Sequence, residues 1–348
     1  GAGISTAAPT QVLWSGGANT TSVSTINNWG GCSAPNCSPG VDGIVAASSA
    51  VQPVVAANMS VKSLTINPGA TLTINANIKL DVCENFINNG TLICAAGSTV
   101  NFNGTGNQIV GGNLTGTNKF SNFMVTKSTG TVNLLSSIEV AQDLTTVNAT
   151  SILNTNGVDI TIGRDFINSH GATTFTGIST SSSLIFNGTA AQIYNPNNNA
   201  ATPTLTLNNV TMLNTGGAAG VTISTVNTPN MVLGTSGVLT LTSGRIITPN
   251  TQEVVAMNTA NNAVSTGNTT SFVQGNLRRY LAAGATGSFD FPVGHATPGY
   301  ERANLNFTSA AAAGAIQLLA RFDPWGGAWL SPAAPGWTEC STTYNMPY

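Results

Sequence analysis

Charged residues are scarce in this sequence of 348 residues. They make up 6% of the chain, with a formal net charge of −2, whereas an ordinary globular domain contains roughly 25%. Hydrophobic residues reach 41%, so the chain does not combine the low hydrophobicity and high net charge of disordered proteins. Asn, Thr, Ser and Gly take the place of the missing charge. This composition predicts a β-rich protein whose exposed faces are neutral and form hydrogen bonds.

Basic clusters and long apolar runs are also absent. Arg278-Arg279 is the only adjacent pair of basic residues, so the sequence lacks the basic patch of nucleic-acid-binding proteins. No apolar run reaches the length of a membrane-spanning helix. We therefore expect no nucleic-acid partner and no membrane span. The chain starts at Gly1 rather than at Met, which is compatible with a removed leader peptide.

Short catalytic motifs are missing as well. The sequence contains no G-x-S-x-G, H-E-x-x-H, Walker or EF-hand pattern. Asp290, His295 and Glu301 lie close together in sequence, but the Phe and Pro residues around them favour a loop or hydrogen-bonding role for the histidine. Glu84 and Arg164 occupy equivalent positions of an internal repeat, and we interpret them as an isolated ion pair or as surface charges. We predict no catalytic residue, no cofactor and no metal site.

The cysteines indicate disulfide bonds and an oxidising compartment. Cys32 and Cys37 flank a tight turn, and Cys83 and Cys94 lie on neighbouring predicted strands, so the spacing predicts two local disulfides. A zinc site fits less well, because neither pair has C-x-x-C spacing and both histidines are distant in sequence. Cys340 is left over, either free or paired with something beyond this sequence.

An internal repeat dominates the sequence. Residues 80–112 return as residues 160–196, with an offset that grows from 80 to 84 positions. A large unit that returns with its short apolar runs in the same order is typical of a repeat architecture. The matched segments are Phe86-Ile87-Asn88 with Phe166-Ile167-Asn168, Phe102-Asn103-Gly104-Thr105 with Phe186-Asn187-Gly188-Thr189, and Gln108-Ile109 with Gln192-Ile193.

Short runs of alternating apolar and polar residues fill the chain between residues 46 and 270. Thr71-Leu72-Thr73-Ile74 is one example, preceded by the turn Asn67-Pro68-Gly69. This alternation with Asn, Gly and Pro punctuation predicts half-buried strands, and no window sustains a helical stripe. We predict an all-β fold in which residues 46–270 form a right-handed parallel β-helix (β-solenoid) of about ten turns, each of roughly 20–25 residues. The competing antiparallel sandwich would need frequent two-residue hairpins, and these are few.

The two ends of the chain differ from the middle. Residues 1–45 are irregular and contain Trp14 and Trp29, so we predict an N-terminal cap in which these tryptophans cover the first coil. Stacking of the tryptophans on sugar rings is the alternative interpretation. Residues 271–348 concentrate charge and aromatic residues, and we predict that they form a small C-terminal β-domain that resembles a sandwich.

Three segments give the sequence a family resemblance. They are the FIN and FNGTxxQ segments of the repeat, GVLTLTSGRI at residues 237–246, and SFDFPVGHATPGYERANLNF at residues 288–307. Together they resemble large secreted surface proteins of Bacteroidetes-type bacteria, which carry β-helix or adhesin-like stalks and of which many are exported by type IX secretion. The resemblance implies an extracellular, cell-surface or filament setting.

We expect an extracellular structural or adhesive surface protein, with self-assembly into a fibre as the more specific hypothesis. Neutral faces pack together at less desolvation cost than charged faces, and solenoid ends can join head-to-tail into open filaments. Surface glycans and other surface proteins are the further partners expected. The alternative function is a β-helix that binds or cleaves polysaccharide. The residues predicted to form the assembly surface are Trp14, Trp29, Trp325, Trp329, Trp337 and Tyr348.

Overall fold

The computed structural model describes residues 11–18, 21–24, 28–30, 34–38, 40–197, 203–249, 251–297, 299–308 and 314–322. Strands make up 46% of the structure and helices 4%. The chain is all-β, and its stacked parallel coils form a β-solenoid of about 11 turns. The predicted fold class is therefore confirmed, and the number of turns is one more than the ten predicted for residues 46–270.

The strands are short, and they follow one another along the whole described chain. The first are β1 (Gln11–Trp14), β2 (Trp29–Gly30), β3 (Asp42–Val45), β4 (Val54–Val55), β5 (Met59–Val61), β6 (Leu64–Ile66), β7 (Thr71–Ile74), β8 (Lys79–Val82), β9 (Phe86–Asn88), β10 (Thr91–Cys94), β11 (Thr99–Phe102) and β12 (Gln108–Gly112). The next are β13 (Asn122–Val125), β14 (Thr131–Leu134), β15 (Ile138–Val140), β16 (Leu144–Thr146), β17 (Ile152–Asn154), β18 (Ile160–Ile162), β19 (Phe166–Ile167), β20 (Phe175–Thr176), β21 (Ser183–Phe186), β22 (Gln192–Asn195), β23 (Thr206–Leu207) and β24 (Asn209–Leu213). The last are β25 (Val221–Ile223), β26 (Met231–Leu233), β27 (Leu239–Ser243), β28 (Ile246–Ile247), β29 (Glu253–Ala256), β30 (Val273–Gln274), β31 (Asn276–Leu281), β32 (Gly287–Gly294), β33 (Tyr300–Phe307) and β34 (Ile316–Ala320). Single 3-10 turns span Gly116–Asn118, Gly171–Thr173, Gly217–Ala219 and Asn261–Ala263.

A complete coil crosses three faces of the solenoid in a fixed order. Face I consists of a three-stranded sheet (β4, β7, β10) followed by a five-stranded sheet (β15, β18, β21, β24, β27). Face II is one twelve-stranded sheet, formed in order by β5, β8, β11, β13, β16, β19, β22, β25, β28, β30, β32 and β33. Face III consists of a nine-stranded sheet (β2, β1, β3, β6, β9, β12, β14, β17, β20) followed by a five-stranded sheet (β23, β26, β29, β31, β34).

Successive coils pair in parallel, and their length varies. Val82 lies beside Phe102, 20 residues later, whereas Tyr194 lies beside Ile223, 29 residues later. The strands in the long coils are no longer than those in the short ones, so the additional residues lie in the connections at the corners. The coil length therefore exceeds the predicted range in the C-terminal half.

The core consists of rows of inward side chains that stack from one coil to the next. One row of face II contains a series of fully buried apolar and aromatic residues, and within it the rings of Phe166 and Tyr194 stack with centroids 5.4 Å apart. Burying each such side chain contributes roughly 1.5–3 kcal/mol. Because strand side chains alternate in direction, the intervening Thr, Asn and Ser residues point outward. The row is Leu80, Val100, Phe123, Leu144, Phe166 and Tyr194.

The N-terminal segment covers the first coil and also contributes strands to it. Trp14 and Trp29 are buried and pack edge-to-face with ring centroids 5.0 Å apart. Their indole N–H groups donate to the carbonyls of Val51 at 2.6 Å and Val23 at 2.8 Å. In face III, β1 pairs in parallel with β3, so the solenoid begins before residue 46. The strands extend into the cap because an unpaired sheet edge leaves backbone groups without partners.

The sheets also continue past residue 271, where a separate domain is predicted. β30 and β32 extend face II in parallel, and β31 extends face III. The last two described strands reverse direction, as β2 does beside β1 at the N-terminal end: β33 pairs antiparallel with β32, and β34 with β31. β31 and β32 contact each other through Arg279 and the rings of Phe289 and Phe291, whereas residues 301–306 of β33 are exposed on both sides of the strand. Residues 323–348 lie outside the described residues.

Arg279 closes the C-terminal end of the core. Its side chain is completely buried and lies over the rings of Phe289 and Phe291, at 5.4 and 5.7 Å from the centroids. Its guanidinium donates to the carbonyls of Asp290 at 2.8 Å and Ala260 at 2.8 Å. Burial lowers the pKa of Arg279 to about 10. The adjacent Arg278 points outward, as the alternation along β31 requires.

The cysteine pairing differs from the prediction. Cys37 forms a disulfide with Cys83, 46 residues later, and Cys94 is free. The predicted pairs Cys32–Cys37 and Cys83–Cys94 are therefore wrong, although a disulfide is present; Cys32 and Cys340 lie outside the described residues. The physical reason is that the cap segment with Cys37 lies beside Val61, its Sγ 3.0 Å from the Val61 carbonyl oxygen, and Val61 pairs with Val82, next to Cys83.

The internal repeat is a corner unit and does not span a whole number of coils. Gln108 starts β12 on face III, whereas its counterpart Gln192 starts β22 on face II. The second copy is therefore rotated by one face around the solenoid axis. Glu84 and Arg164 consequently lie at different corners, and each forms an ion pair with another residue, Glu84 with Lys62 and Arg164 with Asp143.

Candidate functional site

The three C-terminal residues considered for catalysis do not form a catalytic group. Asp290 accepts hydrogen bonds from Arg302 at 2.7 Å and Asn304 at 2.7 Å. His295 lies in a turn, with its Nδ1 3.0 Å from the carbonyl oxygen of Thr297. Glu301 is opposite Val293 in the β32–β33 ladder, whereas Asp290 is opposite Asn304, three positions further along. A glycosidase needs two carboxylates on either side of the bond that it cleaves, and this arrangement does not supply them.

Most charged side chains on the described surface are neutralised by a partner. Because exposed ion pairs contribute little to stability, their main consequence here is a nearly neutral surface. No group of three or more His, Cys, Asp or Glu residues within the described ranges is placed to hold a metal ion. The ion pairs are Lys62 with Asp42 and Glu84, Lys79 with Asp81, Lys119 with Glu139, Arg164 with Asp143, Arg278 with Glu253, and Arg302 with Asp290.

A groove of about 620 Å³ lies on the outer surface of face III in the C-terminal half of the solenoid. Its floor consists of outward side chains from successive strands: Val232 on β26 is beside Val255 on β29, which is beside Arg278 on β31. Met257 adds to the apolar part of the floor. The groove therefore crosses the strands and runs along the solenoid axis.

The polar groups of the face III groove are held in place by one another. Arg278 donates to both carboxylate oxygens of Glu253, from Nε and from Nη2, each at 2.6 Å. This pairing raises the pKa of Arg278. The backbone N–H of Glu253 in turn donates to the side-chain oxygen of Asn230 at 2.8 Å. Tyr280 lies two residues after Arg278, on the same side of β31, and is paired with Gln317 on β34.

One wall of the face III groove contains two residues with left-handed backbone conformation. The φ angles of Asn227 and Thr228 are +59° and +46°. Asn tolerates this region, but a β-branched residue such as Thr rarely adopts it, and such outliers cluster at ligand-binding sites. The side-chain amide of Asn227 donates to the side-chain oxygen of Asn197 on the preceding coil. The wall is thus fixed by a contact between coils.

The face III groove is better suited to binding than to catalysis. Among its described lining residues, Glu253 is the single carboxylate, and Arg278 occupies both of its oxygens. Sequence reasoning missed this site, because its residues come from four strands and the segments between them, spread over positions 204 to 317. The one sequence signal that could have indicated the groove is the alternation along β31, because it places Arg278 and Tyr280 on the same side of the strand.

Both ends of face II have a strand without a neighbour on its outer side, as far as the structure describes the chain. These strands are β5 at the N-terminal end and β33 at the C-terminal end. Residues 301–306 of β33 are exposed on both sides of the strand. The side chain of Leu305 is 41% exposed.

The predicted assembly residues do not coincide with these open edges. Trp14 and Trp29 are 0% and 3% exposed, which corrects the prediction that they contact a neighbouring subunit and also leaves no ring face for a sugar. They are buried because the first coil of the solenoid needs an apolar cover. The predicted residues Trp325, Trp329, Trp337 and Tyr348 lie outside the described residues.

None of the helices in the described ranges is long and apolar enough to cross a membrane. Comparisons of the sequence with protein-family models, with curated proteins and with solved structures found no match.

Proposed function

We propose that this protein is an extracellular structural or adhesive surface protein whose solenoids join end to end into a filament. The observation that supports the proposal is β33, an eight-residue terminal strand whose outer edge has no partner among the described residues. An exposed edge strand is a template for pairing with another chain, and soluble proteins normally protect such edges with charge, proline or a cover.

The composition of β33 favours pairing of its outer edge with a strand of another chain, because most of the strand lacks the charged residues that normally prevent such pairing. Its charged residues, Glu301 and Arg302, are at its start, and the stretch that follows is neutral: Ala303, Asn304, Leu305 and Asn306. Strand addition to such an edge derives its affinity from backbone hydrogen bonds. The residues around Leu305 therefore offer a continuous edge without a charge to desolvate.

The other end of face II supplies the second edge, where the cap residue Cys37 lies beside Val61, the last residue of the strand. β5 (Met59–Val61) is the first strand of the same sheet and has no strand on its outer side in the described chain. Pairing of β33 in one subunit with β5 in the next joins two different surfaces. Such a heterologous contact leaves both ends of the assembly open, and repetition produces a filament. The disulfide Cys37–Cys83 supports an extracellular setting.

Negative-stain electron microscopy of the purified chain tests this proposal. We expect filaments whose subunit repeat is on the order of 50 Å, the length of about eleven strand spacings. Leu305→Lys introduces a charge at the centre of the open edge and should abolish the filaments. Leu213→Lys is the matched control, because Leu213 is 38% exposed but lies on face I, away from both ends.

Two results would contradict end-to-end assembly. The first is a chain that remains a monodisperse monomer at high concentration without any filaments. The second is a Leu305→Lys variant that forms filaments as readily as the wild type.

The face III groove supports a second function, the binding of polysaccharide. This function does not exclude the first, because the groove lies on the side of the solenoid, whereas the open edges lie at its ends.

A further inference from the structure

We infer that the face III groove binds an uncharged oligosaccharide. The inference rests on the second proposed function, polysaccharide binding, and names the ligand class and the residues that recognise it. Filament formation does not depend on it, so the two proposals fail separately.

The charge of the groove excludes an anionic ligand. Arg278 is the cation of the described lining, and both carboxylate oxygens of Glu253 neutralise it at 2.6 Å. The remaining polar groups are amides and hydroxyls, including Asn227, Asn230 and Gln317. Amide and hydroxyl groups both donate and accept hydrogen bonds. They match a ligand that carries many hydroxyl groups and no charge.

The shape of the groove indicates an elongated ligand. Its lining residues come from β31, β29, β26, β34 and the segment that precedes β23. Five strands of one sheet span about 19 Å at a spacing of roughly 4.8 Å. A chain of several sugar units fills this length, whereas a monosaccharide leaves most of it empty.

A sugar ring has apolar C–H groups and polar hydroxyl groups, and the groove offers partners for both. Val232, Val255 and Met257 offer apolar contacts to the C–H groups of the ring. Tyr280 adds an aromatic ring with a hydroxyl group at its edge. Aromatic side chains of this kind contribute large contact areas and keep their polar tip available for a hydrogen bond. The polar groups on the wall then reach the hydroxyls at the ring periphery.

The site is rigid before a ligand arrives. The guanidinium of Arg278 is fixed by two hydrogen bonds to Glu253, and the backbone of Glu253 is fixed by Asn230 at 2.8 Å. Asn227, in the wall, is tied to Asn197. Because little side-chain freedom remains to be lost, the entropic cost of binding is small.

Isothermal titration calorimetry of the full chain tests this inference. The probes are cellohexaose, maltohexaose, mannohexaose and laminarihexaose, with glucose, mannose and hexagalacturonate for comparison. We expect at least one neutral hexaose to bind with a Kd below about 1 mM, the lower end of specific recognition. The corresponding monosaccharide and hexagalacturonate should bind at least tenfold more weakly.

Three variants locate the binding site. Tyr280→Ala should weaken binding of the neutral hexaose at least tenfold, while circular dichroism shows an unchanged fold. Glu253→Gln leaves the Arg278 charge without its partner, so this variant should gain affinity for hexagalacturonate. Arg164→Ala is the matched control, because Arg164 forms the same two-bonded pair with Asp143, at 2.6 Å for each bond, outside the groove.

The inference is overturned if no neutral hexaose binds below about 1 mM, or if wild-type protein prefers hexagalacturonate. It is also overturned if folded Tyr280→Ala binds the neutral hexaose as tightly as wild type does. Filaments that form normally in any of these cases would leave the assembly proposal standing.

Discussion

At the scale of single residues, Lys127 is the most unusual group in the core. Its side chain is 0% exposed, at a corner between faces II and III. The ammonium group donates to the carbonyl of Gly104 at 2.6 Å, to the carbonyl of Gly106 at 2.9 Å, and to the side-chain oxygen of Gln108 at 2.7 Å. These three acceptors match its three donors. Burial nevertheless lowers the pKa of Lys127 from 10.5 to about 8.

This shift predicts a stability that rises with pH. Between about pH 8 and 10.5 the folded chain loses the Lys127 proton while the unfolded chain keeps it, so the free energy of unfolding increases with pH. A shift of this size corresponds to about 3 kcal/mol. Urea unfolding at pH 7, 8.5 and 10 should show the gain in wild type relative to Lys127→Met, which cannot titrate. Parallel pH profiles for the two proteins would contradict this prediction.

At the scale of structural elements, the two copies of the repeat form the same corner at different places around the solenoid. The contacts of one glutamine in each copy explain how the same residues can form both corners. The side-chain N–H groups of Gln108 donate to the carbonyls of Val82 at 2.8 Å and Glu84 at 2.6 Å, and its oxygen accepts from the Gly104 N–H at 3.2 Å. In the second copy, Gln192 makes the same three contacts with Ile162, Arg164 and Gly188, at 2.9, 2.7 and 3.0 Å. One glutamine thus satisfies three backbone groups of two coils.

Glycine is required at this corner for a steric reason. A Cβ atom at Gly104 would lie 1.7 Å from the carbonyl oxygen of Cys83 on the preceding coil. The Asn-Gly-Thr segment of the repeat therefore marks a position where the backbones of two coils lie too close together for a side chain. In both copies the segment lies at a corner of the solenoid, after β11 and after β21.

The corner geometry predicts the cost of losing either glutamine. Gln108→Ala and Gln192→Ala each leave buried backbone groups without a partner, so each should lower the free energy of unfolding by about 1–3 kcal/mol. Chemical denaturation measures the change. Thr105→Ala is the control at the same corner, because Thr105 is exposed. A loss no larger than that of the control would show that the glutamine contacts do not stabilise the corner.

At the scale of the whole molecule, the solenoid is a one-dimensional stack in which each coil contacts only its neighbours. The disulfide Cys37–Cys83 joins the N-terminal cap to the coil of β8. It closes a segment of 46 residues, for which the chain-entropy estimate of the stabilisation is about 4 kcal/mol. The loss of this bond should therefore act on the N-terminal coils alone.

Hydrogen exchange with mass spectrometry tests this local effect. Cys37→Ser should reduce the protection of peptides from residues 40–100 and leave peptides beyond residue 220 unchanged. Cys94→Ser is the control, because Cys94 is free. If Cys94→Ser instead produces the loss of protection, the pairing described above is wrong. Loss of protection along the whole chain would contradict the one-dimensional description.

The class of fold and its local features follow from patterns in the amino-acid sequence. Period-two alternation predicts strands such as Thr71–Ile74, and Asn-Gly segments predict corners, because both signals depend on residues that are adjacent in the chain. The repeat of residues 80–112 in residues 160–196 indicated a stack of coils, because a unit that returns with its apolar runs in order is typical of a repeat architecture.

Contacts between residues of different coils, by contrast, do not follow from the sequence pattern. The partner of a strand is 20 residues away in one coil and 29 in another, since the connections at the corners vary in length. Counting along the sequence therefore cannot assign the pairing of Cys37 with Cys83, the burial of Lys127 or the grouping of Glu253 with Arg278. Each of these depends on the register between coils, and that register is set by the packing of the core.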